Sequence, residues 1–173
     1  MYKNSTSFSI HKATKEDAAA ILAYMNQVGK ESDFLLFGEN EFTMSLEQEE
    51  IFIDSTNSTD TSALFIGKYK DEIVCLGSIS SSDRKRIAHH GELAITVRKK
   101  FWNQGIGTKL MEHIIDFAKN TGTLEILHLG VREDNEKALK LYRKMGFVPI
   151  GTFQRYFKIN ETYYNKTMMN LYL

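Results

Sequence analysis

Gly105 and Gly107, one residue apart at the head of a long amphipathic stretch, are the residues whose type and spacing point most directly to chemistry. They lie within Glu92 to Lys119, ELAITVRKKFWNQGIGTKLMEHIIDFAK, which reads as a strand, a basic turn, a Gly-x-Gly loop and a helix. A helix N-terminus carries unpaired backbone N–H groups and the positive end of the helix dipole, so it suits an anion. Glycine lets the backbone come close to that anion. The spacing excludes two common phosphate loops. A Walker loop requires Gly-x-x-x-x-Gly-Lys-Ser/Thr, but Gly107 is followed by Thr108-Lys109 and Trp102 stands five residues before it. A dinucleotide fingerprint needs a third glycine three residues after the second, where this chain has Leu110.

The segment Trp102 to Gly107, WNQGIG, resembles the acyl-coenzyme A loop of the GNAT superfamily of N-acetyltransferases, written Arg/Gln-x-x-Gly-x-Gly/Ala. Both glycines match, and Trp102 replaces the Arg or Gln, with Gln104 the nearest polar substitute. A second block, Asn135, Ala138, Leu141-Tyr142 and Gly146-Phe147, is similar to the family's Asn-x-x-Ala-x-x-Leu-Tyr-x-x-x-Gly-Phe segment. The resemblance is clear over residues 85–172 and thinner before them.

The resemblance implies acetyl-CoA as cofactor and an acetyl transfer to a primary amine by direct attack in a ternary complex. The backbone of Asn103, Gln104, Gly105, Ile106, Gly107 and Thr108 would take the pyrophosphate, and Asn135 would cap the following helix or touch the cofactor. Arg98, Lys99, Lys100 and Lys109 add charge nearby, or form a solvated turn. Ile95 and Val97 would hold the pantetheine arm through their main chain, as an added strand would. Tyr142 is the implied catalytic acid, since a phenol can share a proton with a departing thiolate. Glu92 fits the family's base by position; His89 and His90 titrate in the useful range and stay open as alternatives. The acceptor pocket would draw on Asp33, Phe34, Tyr163 and Tyr164, by charge and by ring faces. The implied acceptor is a small-molecule or peptide amine, and homodimers are common in the family. The other reading is a GNAT-fold module that binds acyl-coenzyme A without catalysis, because a fold does not guarantee an activity.

The 173 residues suffice for one domain, 1–173, with a real core. Lys+Arg and Asp+Glu both number 22, a balance that argues against a general nucleic-acid binder. Cys75 is the only cysteine, which rules out an internal disulfide and reads as a small buried hydrophobe. No His/Cys/Asp spacing suggests a metal site. No apolar run is long enough for a transmembrane span, and MYKNSTSFSIHK lacks the apolar core of a signal peptide. A cytoplasmic protein that engages neither membrane nor nucleic acid is the expectation; the Asn-x-Ser/Thr sequons at Asn4 and Asn57 carry no meaning without secretion.

The elements that must position these residues follow from periodicity. Phe8 to Ala13 reads as a strand. Thr14-x-x-Asp17 and Ser45-x-x-Gln48 are capping boxes opening two helices, the first with Ile21, Leu22, Met25 and Val28 on one face and Gly29 as its stop. Ala63–Lys68 and Ile73–Ser80 form a hairpin turning near Lys70-Asp71, followed by a strand over 87–98. Ile106, Leu110, Ile114 and Phe117 are the apolar face of the helix after the Gly loop. Leu124–Val131 reads as a buried strand, and the next helix stops at Gly146. Phe147–Phe157 and Thr162–Leu171 close a hairpin around Asn160-Glu161. The expected architecture is mixed α/β with helices on both faces. The resemblance adds a mostly antiparallel central sheet, splayed at the acyl-CoA site.

Overall fold

A computed structural model of the chain describes residues 8–173. The Asn4 sequon and most of the N-terminal stretch read for a signal peptide lie outside that range. Seven strands form one sheet: β1 (Phe8–Lys12), β2 (Ala63–Tyr69), β3 (Glu72–Ser81), β4 (His90–Val97), β5 (Ile126–Arg132), β6 (Val148–Ile159) and β7 (Thr162–Tyr172). Their order is β1-β2-β3-β4-β5-β7-β6, and only β4 and β5 run parallel. The four α-helices among the described residues are α1 (Ala18–Glu31), α2 (Leu46–Thr56), α3 (Ile106–Asn120) and α4 (Glu136–Lys144).

Both capping boxes form. The Thr14 N–H donates to the Asp17 carboxylate at 3.0 Å ahead of a short 3₁₀ turn that feeds α1, and Ser45 and Gln48 exchange bonds at the head of α2. Gly29 does not stop α1, which runs two residues further; it is buried where a Cβ would meet the Gly38 carbonyl oxygen at 2.7 Å. Its role is to let the loop after α1 lie against the helix. The β6–β7 turn at Asn160-Glu161 has positive φ at both residues, 46° and 62°, as a two-residue hairpin of right-twisted strands demands.

Strand alternation divides the apolar residues between two cores. Leu64, Ile66, Ile73 and Leu76 meet α1 and α2 through Ile21, Tyr24, Val28 and Ile53. Ala63, Phe65, Val74, Cys75, Leu93, Leu127 and Leu129 meet α3 and α4 on the other side. Helices therefore cover both faces. Cys75 is fully buried, and burial pushes its thiol up to about 12, so it is a packing residue and not a nucleophile.

Candidate functional site

Pairing between β4 and β5 consists of His90 with Ile126, Gly91 with Leu127 and Glu92 with His128. Beyond Glu92 and His128 the strands diverge, although β4 runs on to Val97 and β5 to Arg132. The backbone of β4 in the gap is one-sided. Arg98 N–H donates to the Val74 carbonyl at 3.0 Å, and Val97 lies opposite Cys75. Antiparallel hydrogen bonding alternates along the strand, so the main-chain groups of Ala94 and Thr96 face β3. Those of Ile95 and Val97 face the gap, where no strand meets them. The Val97 carbonyl accepts the Trp102 indole N–H at 2.8 Å. Trp102, which stands where the resemblance expected Arg or Gln, thus ties the loop to the end of β4, and the Lys137 ammonium sits 5.0 Å from its ring centroid.

The loop from Asn103 to Thr108 follows directly. Asn103 and Gly105 take left-handed backbone, φ 61° and 78°, turning the chain into α3. The first α3 hydrogen bond runs from Lys109 N–H to the Gly105 carbonyl, and no side chain caps the helix. Among the described residues, the N–H groups of 103–108 have no protein acceptor. That row stands at the positive end of a 15-residue helix, a donor set of the kind that suits an anion. Gly105 has open space where a Cβ would stand, whereas a Cβ on Gly107 would meet Leu141 at 3.2 Å; Gly107 is there for the approach of α3 to α4. Gln104 turns its amide back onto the Lys100 carbonyl. Arg98 is committed to Glu31 and Glu72 at 2.9 and 3.0 Å, and Lys100 to Glu72 at 2.8 Å. These two cations brace the turn; Lys99 and Lys109 have no carboxylate partner among the described residues.

Asn135 caps α4, its Oδ1 accepting from Ala138 N–H at 3.2 Å. Two turns on, Tyr142 lies in the core beside Phe147, and burial raises its phenol to about 12. Its hydroxyl has no hydrogen-bond partner among the described residues.

On the opposite face of the sheet, Glu92 projects into two adjoining cavities of about 260 and 290 Å³, both also lined by His90 and His128. His128, which the sequence reading passed over, pairs in register with Glu92 at the last rung before the splay. Burial holds it below the usual histidine range, with His90 and Lys166 acting in the same direction and Glu92 against them. Of the four acceptor-side residues, three lie together. Arg132 donates to the Asp33 carbonyl at 2.8 Å, and its guanidinium stacks 4.3 Å from the ring centroids of both Phe34 and Tyr164 while pairing with Asp134. One face of each ring is therefore taken by the chain's own cation. Tyr163, the next residue on β7, points to the other side and sits among Arg155 and Lys158. No cluster of metal-ligating groups occurs among the described residues, and no helix among them is long and apolar enough to cross a membrane.

The chain matches the model of the Acetyltransferase (GNAT) family over residues 31–147. The crystal structure of a GNAT-family acetyltransferase from Streptococcus pneumoniae superposes with a TM-score of 0.94 at 32% identity, covering 96% of this chain and all of that one. The structure of yncA from Salmonella typhimurium with its cofactor acetyl-CoA has a TM-score of 0.83 at 17% identity, a likeness of fold, over 96% of this chain and 94% of that one. Among curated proteins, the N-alpha-acetyltransferase RimI of Mycobacterium tuberculosis is 36% identical over 66 residues, 38% of this chain and 39% of its own. The L-amino acid N-acetyltransferase AaaT of Escherichia coli is 31% identical over 86 residues, 50% of this chain and 53% of its own. These alignments span from about two fifths to about half of those relatives' lengths. With the splayed parallel pair and uncapped glycine loop, the family match identifies the chain as a member of the GNAT acetyltransferase family.

Proposed function

We propose that this protein is an N-acetyltransferase, moving an acetyl group from acetyl-CoA to a primary amine by direct attack in a ternary complex. The observation that carries the reading is a run of main-chain groups that neither the sheet nor the helix uses. It takes in the 103–108 N–H groups and the outer edge of β4 at Ile95 and at Val97, whose carbonyl holds the Trp102 indole, and it ends beside the cavities at Glu92. That run fits an anion followed by an amide-bearing arm. Bound acetyl-CoA supplies the activated thioester. The 103–108 amides and the Thr108 hydroxyl hold the pyrophosphate, while Ile95 and Val97 take the pantetheine amides as strand partners. Glu92 accepts the proton that the acceptor ammonium must lose before its nitrogen can attack. As the carbon–nitrogen bond forms and the carbon–sulfur bond breaks, the Tyr142 hydroxyl would give a proton to the departing sulfur and be restored by the proton that the new amide nitrogen sheds.

Two measurements test this. Acetyl-CoA at a hundred times its Kd should stabilise the protein by about 2.7 kcal/mol in a thermal melt, and NAD should not. Coenzyme A release should then follow from at least one member of a panel of amino acids, polyamines, peptides and lysine side chains. Stabilisation without release from any acceptor would leave the non-catalytic acyl-CoA-binding module as the reading.

A further inference from the structure

The cavity of about 290 Å³ has an uneven charge pattern. Glu92, His128 and Asn170 line it, and so does Lys166. Asn170 is paired with His128 across β5 and β7, and its Oδ1 is buried without a hydrogen-bond partner, an arrangement that folded proteins rarely leave unfilled. Glu92 and His128 put a carboxylate and an imidazole on the same wall, both able to accept from N–H donors.

Lys166 supplies the opposite sign. It has no carboxylate partner among the described residues; its ammonium lies 4.2 Å from the Tyr156 ring centroid. Its stem crosses β5 at Gly130, where any Cβ would collide with the Lys166 side chain. The missing side chain at Gly130 is what lets this lysine reach the cavity. Arg132, the neighbouring cation on this face, is already matched by Asp134 and by two aromatic rings. The rest of the wall includes the apolar Ile126, Ile150 and Met168.

Resting on the acetyltransferase reading, we propose that the acceptor is a small amino acid with an apolar side chain, its ammonium held by Glu92 and His128 and its carboxylate by Lys166. An ammonium has three N–H donors, and the carboxylate and the imidazole accept from it. The apolar wall takes the side chain. A polyamine would bring a second cation against Lys166, and a peptide N-terminus would present an amide where the lysine calls for an anion, so the charge pattern disfavours both.

The test compares L-leucine and L-methionine with leucinamide, isopentylamine and spermidine on the unmodified full chain, at saturating acetyl-CoA, following coenzyme A release. The amino acids should exceed leucinamide and isopentylamine at least tenfold in kcat/KM. Lys166→Met should raise the KM for leucine tenfold or more and shrink its advantage over isopentylamine toward one, and Lys166→Arg should keep most of it. Equal or better turnover of leucinamide or spermidine leaves the transferase reading standing and overturns the amino-acid assignment, as does an unchanged leucine KM in a folded Lys166→Met protein. If no amine releases coenzyme A although acetyl-CoA stabilises the protein, the transferase reading falls and the amino-acid assignment falls with it.

Discussion

A phenol serves as an acid only while it keeps its proton. Tyr142 does so at every ordinary pH, because burial raises it to about 12 and no group among the described residues takes up its hydroxyl. Tyr142→Phe keeps the ring against Phe147 and removes only that proton. Turnover should fall roughly 10²-fold, the usual size of general-acid catalysis, with acetyl-CoA affinity nearly unchanged because the bond matters only as charge develops on sulfur. Full activity where the chemical step limits turnover would make Tyr142 a packing residue. The basic turn shows the converse at the same scale. Arg98 reads in sequence as charge near the loop or as part of a solvated turn, and in the fold Glu31 and Glu72 hold it.

At the level of elements, the site depends on how closely α3 and α4 approach each other. A Cβ on Gly107 would face Leu141 at 3.2 Å. Gly107→Val would therefore push α4 away from the N-terminus of α3 and spread the 103–108 amides. Acetyl-CoA binding should weaken tenfold or more, about 1.4 kcal/mol, in a titration calorimetry experiment on folded protein. Gly107→Ala, which asks Leu141 to give by only a few tenths of an ångström, should lose much less. Unchanged affinity in the valine variant would remove the loop from the cofactor site. The other decisive element is β4, whose two edges do different work: one builds the sheet with β3, and the other is open beyond Glu92.

Among the described residues, a buried carboxyl without a partner has an effect that is global. Glu49 of α2 is 2% exposed, and its Oε2 has no hydrogen-bond partner. Burial raises its pKa above the ordinary carboxylate value of 4.5. The folded chain thus holds a proton that the unfolded chain has released. The stability this proton confers is complete below pH 4.5 and is lost as pH rises through the folded value. Glu49→Gln removes the titration. Thermal melts at pH 8 should show a gain of about 1 kcal/mol over the parent protein, shrinking toward zero near pH 4. Parallel pH profiles of the two proteins would mean that the buried carboxyl carries no such cost.

Local chemistry determined the elements from sequence alone. The capping boxes at Thr14 and Ser45, the Asn160-Glu161 turn and the helical face of α3 each depend on residues within a few positions of one another, and each formed where the pattern placed it. The Gly-x-Gly loop and the Asn135–Phe147 block were legible for the same reason, because their groups act through nearby backbone. Tertiary structure decided what depends on register and on distant partners. Strand register brought His128 beside Glu92 and Asn170 beside His128. It also assigned the free edge of β4 to Ile95 and Val97, and separated Tyr163 from Tyr164. Packing turned Gly29 from a helix stop into a contact with Gly38, gave Arg132 the rings of Phe34 and Tyr164, and let Lys166 cross Gly130. A side chain's type is written in the sequence, but its partner is set by which strands and helices meet, and those lie up to 99 residues apart in Arg132 and Asp33.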